Sequence, residues 1–388
     1  MMSNHIYNRS GMALRRYWGQ PLRWHHAGLT MVELLVAMVI SLVIALAAVA
    51  ALTVARRGFG TVDAASQLRD NGRFAADLIQ RLVVQSGFKD VYYAGSLPNS
   101  GAGEISPNIT GYNNAAVGAL NAFTDPFADS FNGNLTLTPT TPGINGSDIL
   151  IVRNQLVSLN WNANLTDPNY GKADGSMIDC NGSSLTGTGS APTDSGARAE
   201  RSASILYVAI SQGESSLMCA TVDWKGTKSV GQPIIAGVET FQVLYGTQGV
   251  TAGLAPTPAF NFTYGVGKPA DPAEWDAWNT SVNAVADKYL RADQLMVAGN
   301  PVATNANWRR VRSIRIGLIL RGPANSAQNT DTTTYYPFGQ GKSSGTASPG
   351  SGFVDSTNDP GSAFTAPADG RLRQVLSFTV HLRNTQGM

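Results

Sequence analysis

Histidine and cysteine are nearly missing from this chain, which has four and two of them in 388 residues. Three of the histidines, His5, His25 and His26, lie in the first 28 residues, leaving His381 alone beyond them. A Ser-His-Asp or Cys-His arrangement would have to be built on that single residue, on what reads as the exposed face of a strand. Gly-x-Ser-x-Gly, phosphate-loop and dinucleotide fingerprints are missing too, so neither an enzyme nor a cofactor is expected. Two cysteines with one histidine are also too few for a zinc site. Asp125, Asp129, Asn132 and Asn134 gather oxygens without EF-hand spacing, and they read as a solvated loop rather than a metal site. Charged residues make up only 14% of the chain, with 28 basic against 26 acidic, which argues against nucleic acid as the main partner.

Two further absences shape the N-terminal region. No acid precedes Glu33, and no charge falls between Glu33 and Arg56. The uncharged run Leu34 to Val54 would be about 31 Å long as a helix, enough for the roughly 30 Å of a bilayer's hydrocarbon core. Arg9, Arg15, Arg16 and Arg23 make the preceding segment basic, as expected on a cytoplasmic side. Arg56 and Arg57 make the other flank basic as well, so charge alone sets orientation weakly. A carboxylate at the head of a membrane helix is costly and calls for a partner, although its edge position makes Glu33 tolerable.

Gly28-Leu29-Thr30-Met31-Val32-Glu33, behind a basic leader and ahead of the apolar run, resembles the class III prepilin signal of type IV pilins and type II secretion pseudopilins. The resemblance implies that prepilin peptidase cuts after Gly28 and methylates the new amino group on Leu29. Residues 1–28 would then be a cytoplasmic leader, and the apolar segment would stay, unlike that of an ordinary secretory signal. Leu29 departs from the usual phenylalanine, and the leader is long, although a start at Met12 would shorten it. In the family, Glu33 is the assembly contact: unpaired in the membrane, it meets the methylated amino group of a neighbour when the helices bundle.

No proline interrupts residues 29 to 97. Leu68, Ala75, Leu78, Ile79 and Leu82 recur at three- and four-residue spacing, with Arg69, Arg73, Asp77 and Arg81 on other faces. The helix is expected to run through 29–54 as the apolar half and 55–88 as an amphipathic half. Asn71-Gly72 reads as a tolerated glycine rather than a hairpin turn, because its flanks are helical. Residues 89–388 are expected to form a β-rich domain. Asp148 to Arg153 and Ser204 to Ile210 read as largely buried central strands. Segments around Phe241, Val243 and Tyr245, around Ile314 to Leu320, and around Leu372 to Leu382 alternate as half-buried antiparallel strands. The fold class is α+β: a long N-terminal helix packed on an antiparallel sheet with long loop insertions. Those loops cover about 95 to 146, 162 to 202, 247 to 270 and 322 to 370. Residues 274 to 298, with Trp275, Trp278 and Tyr289, read as holding a short helix used for core packing.

Several later blocks resemble the PilW-type minor pilins: Asn71-Gly72-Arg73-Phe74-Ala75 with Gly87-Phe88, Gly237-Val238-Glu239 with Tyr245-Gly246, Trp308-Arg309-Arg310-Val311 leading to Arg321, and Arg371-Leu372-Arg373 with Leu382-Arg383-Asn384. That resemblance implies an inner-membrane subunit with a periplasmic domain that joins the pilus at the cell surface. Its partners would be other minor pilins, the major pilin and prepilin peptidase, and its role would be to prime pilus assembly near the tip. A type II secretion J-like minor pseudopilin and a tip adhesin acting through the long loops are the alternatives. Outside the cytoplasm, Cys180 and Cys219 are expected to form a disulfide.

Overall fold

The computed structural model describes residues 28, 30–88, 107–117, 142–154, 174–185, 202–222, 229–256, 286–327, 331–339 and 362–384. The first element, α1, is a single helix of 55 residues, Met31–Gln85. Contacts divide the chain into residues 1–56 and 57–388. In the first unit every described residue is exposed, and α1 is there long and apolar enough to cross a membrane. Its polar side chains beyond Glu33, Ser41 and Thr53, turn back to donate to the carbonyls of Met38 and Ala50, both at 2.8 Å. The apolar surface therefore carries no unpaired hydroxyl donor.

In the second unit α1 buries one stripe: Ala64, Leu68, Gly72, Ala75, Leu78, Ile79, Leu82 and Val83. The expected apolar face is all there, and Arg69, Arg73, Asp77 and Arg81 are exposed. The stripe enters one core shared with two antiparallel sheets. The five-stranded sheet runs in the order β1 (Ile109–Tyr112), β2 (Ile149–Asn154), β3 (Ser202–Ser211), β4 (Glu214–Val222), β5 (Gln232–Ala236). The four-stranded sheet places β11 (Arg373–His381) beside β8 (Val311–Arg321), then β6 (Val238–Thr247), then β7 (Lys288–Leu290). The chain passes from the first sheet to the second through Gly237 alone. Its φ of +80°, and the Arg321 carbonyl 2.5 Å from where a Cβ would lie, leave room only for glycine.

Three expectations need correction. β6 is buried along all ten residues rather than on one face. Described parts of the insertion 322–370 lie over the outer face of the second sheet: Phe338 packs on Leu244, and Phe364 on Ile319. Part of that insertion is also paired, as β9 (Thr334–Tyr335) with β10 (Phe364–Thr365). In 274 to 298, Tyr289 and Leu290 sit on β7, because Leu290 pairs with Tyr245 and drops into the core; the short helix is α2, Ala292–Leu295. Residues 274–285 and the Asp125 to Asn134 group lie outside the described residues. A helix not foreseen, α3 (Pro301–Arg309), starts at an Asn300 cap whose side chain accepts from the Ala303 amide at 3.0 Å, with proline at its first turn. It delivers Trp308 edge-on to Tyr245, with ring centroids 4.7 Å apart.

The end of α1 is held from several directions. Asn384 donates to the carbonyls of Val84 at 3.2 Å and Ser86 at 3.0 Å, which a helix terminus leaves without intrahelical donors. Gln85 accepts from the Ile178 amide at 3.0 Å, and the Gly87 amide donates to the Arg153 carbonyl at 3.0 Å. Cys180 and Cys219 are joined by a disulfide, Cα atoms 5.7 Å apart, fully buried in the same core. It pins segment 174–185 to β4.

Gly72 is where the helix comes down on the second sheet: a Cβ there would meet Leu320 at 3.3 Å and Leu376 at 3.7 Å. Gly72→Leu should destabilise the domain by about 1–3 kcal/mol, because overpacking outweighs the gain in helix propensity. Urea unfolding of the full chain in detergent measures this, and a midpoint equal to or above that of the parent would refute the close packing.

Candidate functional site

The head of α1 is a capping box. Thr30 lies at the N-cap and Glu33 three residues on. The Glu33 amide donates to Thr30 Oγ1 at 3.3 Å, and Glu33 Oε2 accepts from the Thr30 amide at 3.4 Å and its hydroxyl at 3.5 Å. The acid therefore has a local partner, which the sequence reading left out. A Thr-x-x-Glu pattern ahead of an apolar run was the signal that could have found it. The carboxylate at the first helical turn is also favoured by the helix dipole. Gly28, two residues before the cap, is exposed, with nothing beyond its chain neighbours within 4 Å of where a Cβ would stand. Leu29 lies outside the described residues. From Met31 onwards the helix presents exposed apolar side chains, among them Leu42, Leu46 and Val54.

In the second unit, the most concentrated charges join the two sheets. Glu239, at the start of β6, and Arg373, at the start of β11, are each 3% exposed at the side chain and form a two-pronged pair at 2.6 and 3.0 Å. Asp369 holds the other edge of the Arg373 guanidinium at 2.7 and 2.8 Å. Arg321, at the end of β8, reaches Glu214 on β4 with its Nε at 3.1 Å and Glu239 at 3.4 Å, while Arg371 adds a contact to Glu214 at 3.0 Å. Glu239, Arg321, Arg371 and Arg373 fall within the sequence blocks named above; Glu214 does not, since nothing in one dimension pairs it with arginines over a hundred residues away, and Asp369, four residues before Arg373, falls in a stretch that reads as loop.

Hydrogen bonds from Arg373 hold the Asp369 carboxyl below its ordinary value of 3.8, despite partial burial. At Glu214 burial works upwards, but hydrogen bonds and charge from Arg321 and Arg371 outweigh it and the pKa is lowered. Burial pushes the Tyr245 phenol well above its ordinary range, and Asp148 adds to this, so the ring is a neutral core group. Asp148 itself spends its carboxylate on the amides of Asn114 at 2.9 Å and Val243 at 2.8 Å, stitching β2 to β6. Burial, with Arg312 beside it, lowers Arg310 to about 10. His381 is exposed on β11, and among the described residues no group of acidic, histidine or cysteine side chains is placed to hold a metal.

A long apolar-headed helix feeding antiparallel sheets, with a glycine and a capped glutamate at its start, defines a prepilin-type protein of the α+β class. Residues 25–49 match the family model of the prokaryotic N-terminal methylation motif, and residues 205–384 match that of the type IV pilus-assembly protein W. Residues 205–384 are thus similar to the PilW family. Among solved structures, a type IV-like pilin from Thermus thermophilus aligns at 12% identity over 82% of this chain and 98% of its own, with a TM-score of 0.35. No curated protein matches the chain.

Glu239→Gln should cost about 3 kcal/mol or more, since it leaves the buried Arg373 charge short of a partner; chemical denaturation reads the loss. Asp369 has a folded pKa below its unfolded one, so its contribution is complete above that range and disappears as acid protonates it. Stability should therefore fall between about pH 5 and pH 3, and fall less in Asp369→Asn. Parallel slopes for the two proteins would refute the pairing. Glu214, 40% exposed at its side chain, should contribute less through solvent screening.

Proposed function

We propose that this chain is a minor pilin, a structural subunit that helps to prime type IV pilus assembly near the tip. The observation that carries the reading is the capping box at the head of an exposed apolar helix, directly behind Gly28 and ahead of a PilW domain. In this reading prepilin peptidase removes residues 1–28 and methylates Leu29. Residues 29–54 anchor the subunit in the inner membrane, residues 55–88 continue the helix, and residues 89–388 form the periplasmic domain. The buried disulfide suits that oxidising compartment.

The capping box supplies the mechanism. Before assembly, Glu33 is kept in place by the amide and hydroxyl of Thr30, so the carboxylate is not left bare at the membrane edge. When helices bundle, the methylated amino group of a neighbouring subunit, major or minor pilin, competes for the same oxygens. A bond between two opposite charges in a low dielectric is stronger than the carboxylate's bonds to the uncharged amide and hydroxyl that it replaces. The acid then acts as a register device, because a buried carboxylate out of register with its partner is costly. The PilW match favours a pilus over a type II secretion J-like role. Nothing in the described residues favours an adhesin.

In Glu33→Ala the protein should remain in the membrane fraction while pili per cell fall several-fold. Electron microscopy with fractionation checks both, and normal pilus number and length in that variant would sink the proposal.

A further inference from the structure

The two sheets have four outer strands among the described residues, and three of them are blunted. β1 has four residues and β7 three, while β5 carries Pro233 and a register shift against β4 at Leu217/Met218. Where β7 stops short, the edge of β6 is closed by residues 146–148, which bond to Phe241, Gln242 and Val243. β11 is different: nine residues pair with β8 in unbroken register, Arg373 with Arg321 through His381 with Ser313. The Leu372 carbonyl and the Leu382 amide both point to β8. By alternation, the amides and carbonyls of Val375, Ser377 and Thr379 point the other way, off the edge of the sheet. No proline, bulge or lysine guards that edge, which natural sheets protect when nothing is meant to pair with it. Ser377 and His381 are exposed, and Leu372, Leu376 and Phe378, on the core side, are only partly covered.

We infer that β11 is a docking edge that accepts an extended strand from a different subunit of the assembly. The inference rests on the pilus-subunit reading. The occupant is an alternating segment. Its apolar residues extend the row of Leu376 and Phe378, its polar residues lie on the side of Ser377 and Thr379, and its backbone pairs with Val375, Ser377 and Thr379. A second copy is disfavoured by polarity. Two β11 strands paired antiparallel about a two-fold axis would point residues 57–85 of the two α1 helices in opposite directions, whereas subunits of one membrane share one direction.

Two measurements on the full chain in its own cells test this. Ser377→Pro removes an outward amide without touching the β8 ladder and should lower pili per cell several-fold, while Ser377→Ala should not. Thermal unfolding of the purified full chain confirms that the fold survives, and Thr379→Pro replaces the variant if it does not. A photoreactive residue at Ser377 should crosslink to an alternating segment of another chain that carries a prepilin-type N-terminus. Normal piliation in a folded proline variant overturns the inference, as does an adduct to a second copy, to the chain's own segments or to nothing. Running Glu33→Ala in parallel separates the failures: loss of pili there with none in the proline variants sinks only the docking edge.

Discussion

The stripe of α1 from Ala64 to Val83 is the contact on which the domain depends. Without the helix, one apolar face of each sheet would meet water; the helix closes both at once, with Leu68, Ile79 and Leu82 in one cluster with Leu206 and Leu217 from one sheet and Phe241 and Ile316 from the other. The disulfide sits in this same cluster, so the segment it holds is tied to the helix as well as to β4. Gly72 makes the approach possible by giving up its side chain where β8 and β11 pass beneath.

Polar ties then fix what burial leaves free, because hydrophobic contact is non-directional. Asp148 sets β2 against β6 through backbone amides, and the Glu214–Arg321–Glu239–Arg373–Asp369 cluster sets the β3–β4 turn against the ends of β6, β8 and β11. Asn384, just beyond β11, caps α1 three hundred residues away in sequence. The last strand thus serves three ends: it carries the ion cluster at its start, the helix cap at its finish, and an open edge between.

At the other end of α1, one carboxylate answers two demands. A glutamate at a helix head satisfies orphan amides, and under the proposed function the same glutamate exchanges its local bonds for a neighbour's amino group. Thr30 stabilises the first state without making it permanent, since its donors are uncharged and its bonds long, 3.3 to 3.5 Å.

The helix, its apolar half, the buried stripe and the main strands are legible in one dimension, because each is written as a period of 3.6 or 2 over neighbouring residues. The N-terminal methylation motif and the cysteine pair are legible as well, the first because it is contiguous and the second because there are only two thiols. Features that join distant residues emerge only in the folded chain. These are the split of the strands into two sheets at Gly237, the burial of β6 on both faces with residues of the insertion after β8, the partners of Glu214 and, among the described residues, the outer edge of β11. Periodicity records how a segment meets its surroundings and not which segment provides them, so burial from a second side and long-range charge pairing become visible only once the chain has closed on itself.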